Sequence, residues 1–285
     1  TCLAEEPIAT TRSMGNFLGG SELRLLCLHG FANAEDVMEK QMNAFEPSFC
    51  DFFGDVARFE FVDGTFCVDP HRVPGEVSVA FGKPSESREY FEWWRGHRLG
   101  QLDREYAHEG MEASVERLAQ IWHEDGPFDG IVGFSQGAAL ASVIAMGVLK
   151  GDSRFHAFAE SFRVLVAFSG WAVKAGPYAD LFKLPSNHVP RPMSIHISAG
   201  DRVRDRGRRN SEELFKLFRE SAEDGESLPV RVSSQWHDGA HVIPRPTEEL
   251  KQLLSDIVLQ RAKDSKERHC DVKPRHCLGA QHSEA

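Results

Sequence analysis

The sequence predicts an α/β fold, with a mainly parallel central sheet and helices on both faces. Three observations carry that prediction. Short apolar runs alternate with helix-length amphipathic segments along most of the chain. The first run, Leu23–Leu28, is nearly continuous rather than alternating, as in a strand buried on both faces. A later run, Asp129–Phe134, enters Gly133-Phe134-Ser135-Gln136-Gly137 and is followed by a small-residue helix, which is a strand–turn–helix signature.

Residues 1–21 are polar and glycine-containing, and read as a loose leader. Leu23–Leu28 is the first strand and ends at His29-Gly30; Ala34–Phe45 has helical spacing, and Arg58–Gly64 is a second strand closing in a turn. Residues 65–105 are interrupted by Pro70, Pro74, Gly75, Gly82 and Pro84 yet carry Phe66, Phe81, Tyr90, Phe91, Trp93 and Trp94. Such an aromatic insertion reads either as a lid or binding loop or as a satellite core. Tyr106–His123 places Met111, Val115, Leu118 and Trp122 on one helical stripe, which Gly126-Pro127 ends. The nucleophile-type strand and the helix Ser135–Leu149 follow. Strands are then expected over Arg163–Gly170, Met193–Gly200 and Pro229–Ser233, with helices over Ser211–Ala222 and Thr247–Ala262. The domain therefore spans 22–262. Residues 263–285 are charged and aperiodic, and are expected to be disordered.

The 285 residues, 41% hydrophobic and 27% charged, suffice for one large α/β domain or two small ones. A formal net charge of −10 argues against general nucleic-acid binding, which wants a basic face. No apolar run approaches the roughly 20 residues of a membrane span. Cys2, Cys27, Cys50, Cys67, Cys270 and Cys277 show no compact disulfide spacing and read as reduced thiols, so a cytoplasmic location is expected. His269-Cys270 and His276-Cys277 match no standard zinc spacing, and neither metal nor cofactor is expected.

The glycine-rich turn at Ser135 has no Gly-Lys-Ser/Thr, which removes a phosphate loop. Read as a nucleophile elbow, it stands Ser135 on a sharp turn clear of the sheet, with Gly133 and Gly137 letting strand and helix approach closely. The helix N-terminus behind it offers free N–H groups and a positive dipole end to an oxyanion. A serine hydrolase of this kind needs an acid and then a histidine further along the chain. Asp201, at the end of the 193–200 strand, is the acid expected, with Asp205 as its rival. His241, in Gly239-Ala240-His241, is the expected base, with His237 as its rival. The oxyanion hole requires two N–H groups, assigned to the backbone of Gln136 and of Phe31. Trp171, just past Gly170, and Val242 are expected to line an acyl pocket.

Leu28-His29-Gly30-Phe31, Phe61-Val62-Asp63-Gly64, Trp93-Trp94, Gly126–Gly137, Phe168-Ser169-Gly170 and Gly239-Ala240-His241 with Pro244 together resemble the FSH-type family of serine hydrolases, over roughly residues 22–260. The resemblance implies an α/β-hydrolase fold, a Ser135–Asp201–His241 triad and hydrolysis of esters or thioesters without a cofactor. Two features depart from the family pattern. Ala240 stands where a second glycine is usual, and Arg202-Val203-Arg204-Asp205-Arg206-Gly207-Arg208-Arg209 is unusually basic. The arginine run reads either as a solvated loop or as a receptor for an anionic thioester such as an acyl-CoA. The expected function is cleavage of carboxylic esters of apolar acyl chains, acting on small molecules. The alternatives are an acyl-CoA or acyl-carrier thioesterase, and a hydrolase-fold protein that binds a ligand and barely turns it over.

Overall fold

The computed structural model describes residues 22–85, 88–96, 108–183, 192–200, 206–223 and 230–270. In chain order these form β1 (Leu23–Leu28), α1 (Glu35–Met42), α2 (Phe49–Phe53), β2 (Ala57–Val62), β3 (Phe66–Cys67), α3 (Gly75–Phe81), β4 (Phe91–Glu92), α4 (Met111–Glu124), β5 (Gly130–Phe134), α5 (Gln136–Leu149), α6 (His156–Ala159), β6 (Val164–Phe168), β7 (Met193–Gly200), α7 (Arg206–Glu223), β8 (Val230–His237) and α8 (Glu248–Cys270).

Six strands make one sheet in the order β2-β1-β5-β6-β7-β8, every neighbouring pair parallel. Alternate side chains of each strand enter opposite cores. Leu26, Leu28, Ile131, Leu165, Ala167 and Ile195 pack under α4, α5 and α7. Leu25, Cys27, Val132, Phe134, Val166 and Phe168 pack against α1, α2 and α8. Because both faces are covered, the buried positions of β1, β5 and β6 are apolar or glycine and read as runs, whereas β7 alternates apolar residues with buried Ser194, His196 and Ser198. Helix α5 is buried along its whole length, and its Gly-Ala-Ala start lets it lie close to the sheet.

The chain lays down β1, moves outward to β2, and returns to the other side of β1 with β5. The strand order therefore reverses between β1 and β5, and the crevice at their carboxyl ends is where such sheets bind ligands.

Several elements differ from the sequence expectation: α1 stops at Met42 with the short α2 after it, α4 starts at Met111, α6 is added, and four further differences have plain causes. β8 runs past Ser233 to His237, because ladder pairing with β7 continues to Gly200 opposite His237 and outweighs the polar Ser233-Ser234-Gln235. Helix α7 starts at Arg206, so the end of the arginine run is helical rather than a loop; arginine is a good helix former, and Arg208 bonds Glu212 one turn on at 2.7 Å. Helix α8 passes Ala262 to reach Cys270, aided by Gln260 donating to Asp264 at 2.8 Å and by the Arg163–Asp264 pair at 3.5 Å. Residues 65–96 carry the antiparallel β3–β4 ribbon and α3. There Trp93 and Trp94 are buried in the main core, and Tyr90 in a smaller one with Ala32, Val37 and Val68. The segment 97–107, the leader 1–21 and the end 271–285, with His276 and Cys277, lie outside the described residues.

Candidate active site

Ser135 sits between the end of β5 and the first residue of α5, with φ 53° and ψ −113°. A non-glycine residue at positive φ is strained and persists only where its surroundings hold it. Here the Ser135 N–H donates to the Phe168 carbonyl at 2.9 Å, and its own carbonyl accepts from Ala139 N–H at 3.0 Å. The glycines around it are enforced by close approach. A Cβ on Gly133 would lie 2.5 Å from Ala138 Cα, and one on Gly137 would lie 2.2 Å from the Leu28 carbonyl oxygen. The other positive-φ non-glycine residues are Ala32 and Ser169, just beyond β1 and β6, so among the described residues the strain gathers at one edge of the sheet.

The loop after β1 is held by His29. The Gly64 N–H donates to its Nε2 at 2.8 Å, so the ring proton is on Nδ1, which donates to the Gly30 carbonyl at 2.7 Å. The His29 carbonyl in turn accepts from Gly137 N–H at 3.1 Å and from the Trp93 indole N–H at 2.8 Å. The ring is fully buried, and burial pulls its pKa down to about 4, so it stays neutral as a fixed spacer. Phe31 follows on this loop; its ring lies under Arg72, and no backbone carbonyl among the described residues takes its N–H. As the first residue of α5, Gln136 has an N–H without an intrahelical acceptor.

His241 lies beyond β8 and reaches back to the elbow: its Nε2 is 2.9 Å from Ser135 Oγ. The residue is exposed at the rim, but its ring packs on Phe134 at 5.0 Å between centroids, and this burial lowers its pKa below the ordinary 6.5. The rival His237 instead accepts from Gly239 N–H at 3.2 Å and ends β8. Both acid candidates, Asp201 and Asp205, lie outside the described residues. Their neighbour Gly200 is described: a Cβ there would lie 2.3 Å from the Ala240 carbonyl, so the end of β7 abuts the residue before His241. Trp171 is half-buried and meets Trp94 edge-on at 6.2 Å, whereas Val242 is 47% exposed beside the histidine. In the arginine run, Arg208 is engaged by Glu212 and lies over Trp236.

The holding role of His29 is not displayed by any sequence motif. The available signal was a histidine closing a buried apolar strand, a polar group that must find internal partners. Among the described residues, no group of His, Cys, Asp or Glu could hold a metal ion, and no helix is long and apolar enough to cross a membrane.

The family model for "Serine hydrolase (FSH1)" matches residues 19–253 of this chain. The chain belongs to that family. It is a serine hydrolase on an α/β-hydrolase fold. Two relatives are similar over most of their length. The C. elegans esterase C25G4.2 is 27% identical over 236 residues, covering 81% of this chain and 91% of its own. The Xenopus tropicalis esterase OVCA2 is 29% identical over 229 residues, covering 78% and 86%. Among solved structures, the Bacillus cereus carboxylesterase superposes with a TM-score of 0.49 at 16% identity, covering 85% of this chain and 90% of its own.

Proposed function

We propose that this hydrolase cleaves carboxylic esters of apolar acyl chains through a Ser135–Asp201–His241 triad. The observation that carries the reading is the 2.9 Å contact between His241 Nε2 and a serine hydroxyl held on a strained elbow. His241 Nε2 takes the Ser135 proton as Oγ attacks the ester carbonyl. The oxyanion that forms is held by the N–H groups of Gln136 and Phe31. The intermediate collapses, His241 returns the proton to the departing alcohol, and an acyl-serine remains. Water then gives its proton to His241 and attacks the acyl carbonyl, releasing the acid and restoring Ser135. Asp201 holds the His241 tautomer and stabilises the imidazolium. What supports Asp201 over Asp205 is its bond to Gly200, the residue packed against the backbone of Ala240. Trp171 and Val242 flank the acyl chain. The substrate is a small molecule, and the thiols of Cys27, buried, and Cys50, half-buried, fit a reducing compartment such as the cytoplasm.

The test is hydrolysis of p-nitrophenyl esters from acetyl to palmitoyl and of the matching acyl-CoAs. Ser135→Ala and His241→Ala should each abolish turnover, and Asp201→Asn should lower kcat by orders of magnitude. Asp205→Asn matching that loss, with Asp201→Asn active, would reassign the acid. A Ser135→Ala enzyme as active as the wild type would overturn the reading. A strong preference for acyl-CoA would replace ester by thioester as the substrate.

A further inference from the structure

The Gln136 side chain has a task separate from its backbone. It is buried, 4% exposed, and its carboxamide makes two bonds to one dipeptide: Oε1 accepts from the Trp93 N–H at 3.0 Å, and Nε2 donates to the Trp94 carbonyl at 3.0 Å. Trp93 is locked at its other polar groups too. Its indole N–H donates to the His29 carbonyl at 2.8 Å, and its carbonyl accepts from the buried hydroxyl of Ser114 on α4. The Trp94 ring then meets Trp171 at 6.2 Å and His108 at 5.6 Å between centroids. A continuous line of bonded groups therefore joins the residue that offers the oxyanion N–H to the aromatic wall around Trp171.

Resting on the ester-hydrolase reading above, we propose that Gln136 is a positioning residue that couples occupancy of the Trp94–Trp171–His108 wall to the placement of the oxyanion N–H. A carboxamide is the side chain suited to this. It presents one donor and one acceptor at the spacing of a backbone N–H and the next C=O, and it sits on the same residue as the N–H to be placed. An acyl chain pressed on Trp171 loads Trp94, Trp94 is fixed through its carbonyl to Gln136, and Gln136 begins α5. Binding energy from the remote end of the substrate then appears at the reacting carbonyl, where it raises kcat rather than only lowering KM.

The experiment measures kcat and KM separately for p-nitrophenyl esters of increasing acyl length, in the full chain, for wild type, Gln136→Met and Ser114→Ala. Gln136→Met keeps size and burial and removes both bonds; Ser114→Ala removes the support of the Trp93 carbonyl together with a 2.7 Å bond to the Thr65 hydroxyl, from a helix that touches no reacting atom. In wild type, kcat should rise with acyl length. In Gln136→Met, kcat on the best wild-type substrate should fall about 10- to 100-fold, and its dependence on acyl length should flatten, while KM still falls as the chain lengthens. Ser114→Ala should flatten the profile in the same direction, less steeply, and it decides the matter if Gln136→Met does not fold. A wild-type kcat independent of acyl length, or variants that lose activity uniformly across lengths, would overturn the coupling and leave the esterase reading standing. Absence of any Ser135-dependent ester hydrolysis would overturn the esterase reading itself, and the coupling with it.

Discussion

His196 makes the fold sensitive to acid, by an amount the structure allows us to work out. It lies on β7, 3% exposed, on the sheet face covered by α8. Its Nδ1 is 3.0 Å from Ser233 Oγ, which donates to the Ile195 carbonyl at 3.3 Å; Nδ1–H is therefore the donor to that hydroxyl, and Nε2 is left without a partner. Burial pulls the imidazole from its ordinary 6.5 down to about 4, against a smaller upward pull from Glu249. Above pH 6.5 the ring is neutral whether the chain is folded or unfolded. As pH falls from 6.5 toward 4 the unfolded chain takes up a proton that the folded chain refuses, so stability is lost across that window and no further below it. The full displacement corresponds to about 3 kcal/mol, of which about 2 kcal/mol falls between pH 7 and pH 4.5. His196→Leu, close in volume and without the unpartnered nitrogen, should leave stability at pH 7 equal or slightly higher. It should also remove that part of the acid loss. The assay is urea unfolding of both proteins at pH 7, 6, 5 and 4.5, comparing differences so that the carboxylates common to both cancel. Stability curves that stay parallel from pH 7 to 4.5, within about 0.5 kcal/mol, would refute the reasoning. His29, also depressed to about 4 by burial, adds a second loss of the same sign, so wild type should unfold readily near pH 4.

Three further outcomes are expected. Phe134→Leu should move the acid limb of kcat/KM to higher pH, because burial against the Phe134 ring lowers the pKa of His241, the proposed base; an unchanged or lower limb contradicts this. Gly200→Ala would drive a methyl to 2.3 Å from the Ala240 carbonyl, so the backbone before His241 must shift: kcat/KM should fall at least about 10-fold and the melting temperature should drop as well, as ester kinetics and calorimetry would show. Asp129→Ala strips the buried carboxylate that takes Arg261 at 2.8 Å and the Arg24 N–H at 2.9 Å. It should cost about 3 kcal/mol in urea unfolding and leave kcat unchanged, since it ties α8 to β1 at the end of the sheet away from Ser135.

The parts of this fold that the sequence displays are those whose cause is local. The buried positions of β1, β5 and β6 are apolar or glycine at each step, and the elbow must carry Gly133 and Gly137 because strand, helix and β1 loop approach to contact there. What it conceals is set by partners far along the chain. The length of β8 follows from its ladder with β7, not from Ser233-Ser234-Gln235. The order within residues 65–96 follows from the β3–β4 pairing, from Val68 N–H donating to the Tyr90 carbonyl at 2.8 Å, and from Arg72 holding the buried carboxylate of Glu92 at 2.8 Å. Proline and glycine in that stretch signal irregularity correctly, but no local pattern reveals that Trp93 and Trp94 would be drawn beneath the elbow.

The same contrast explains how the site tolerates strain. A serine at φ 53° would relax if any one neighbour could move. Its supports come from three directions, and each ends on backbone rather than on a mobile side chain: β6 through the Phe168 carbonyl, β1 through His29 and Gly137, and the 93–94 segment through Gln136. The Gly30 position shows how little slack remains, since a Cβ there would lie 3.3 Å from the Ser135 Cβ and 3.2 Å from the Phe134 ring. The ring of Phe134 also backs His241. One side chain thus limits the approach of the loop after β1 on one side and sets the environment of His241 on the other, so loosening it would disturb Ser135 and His241 together.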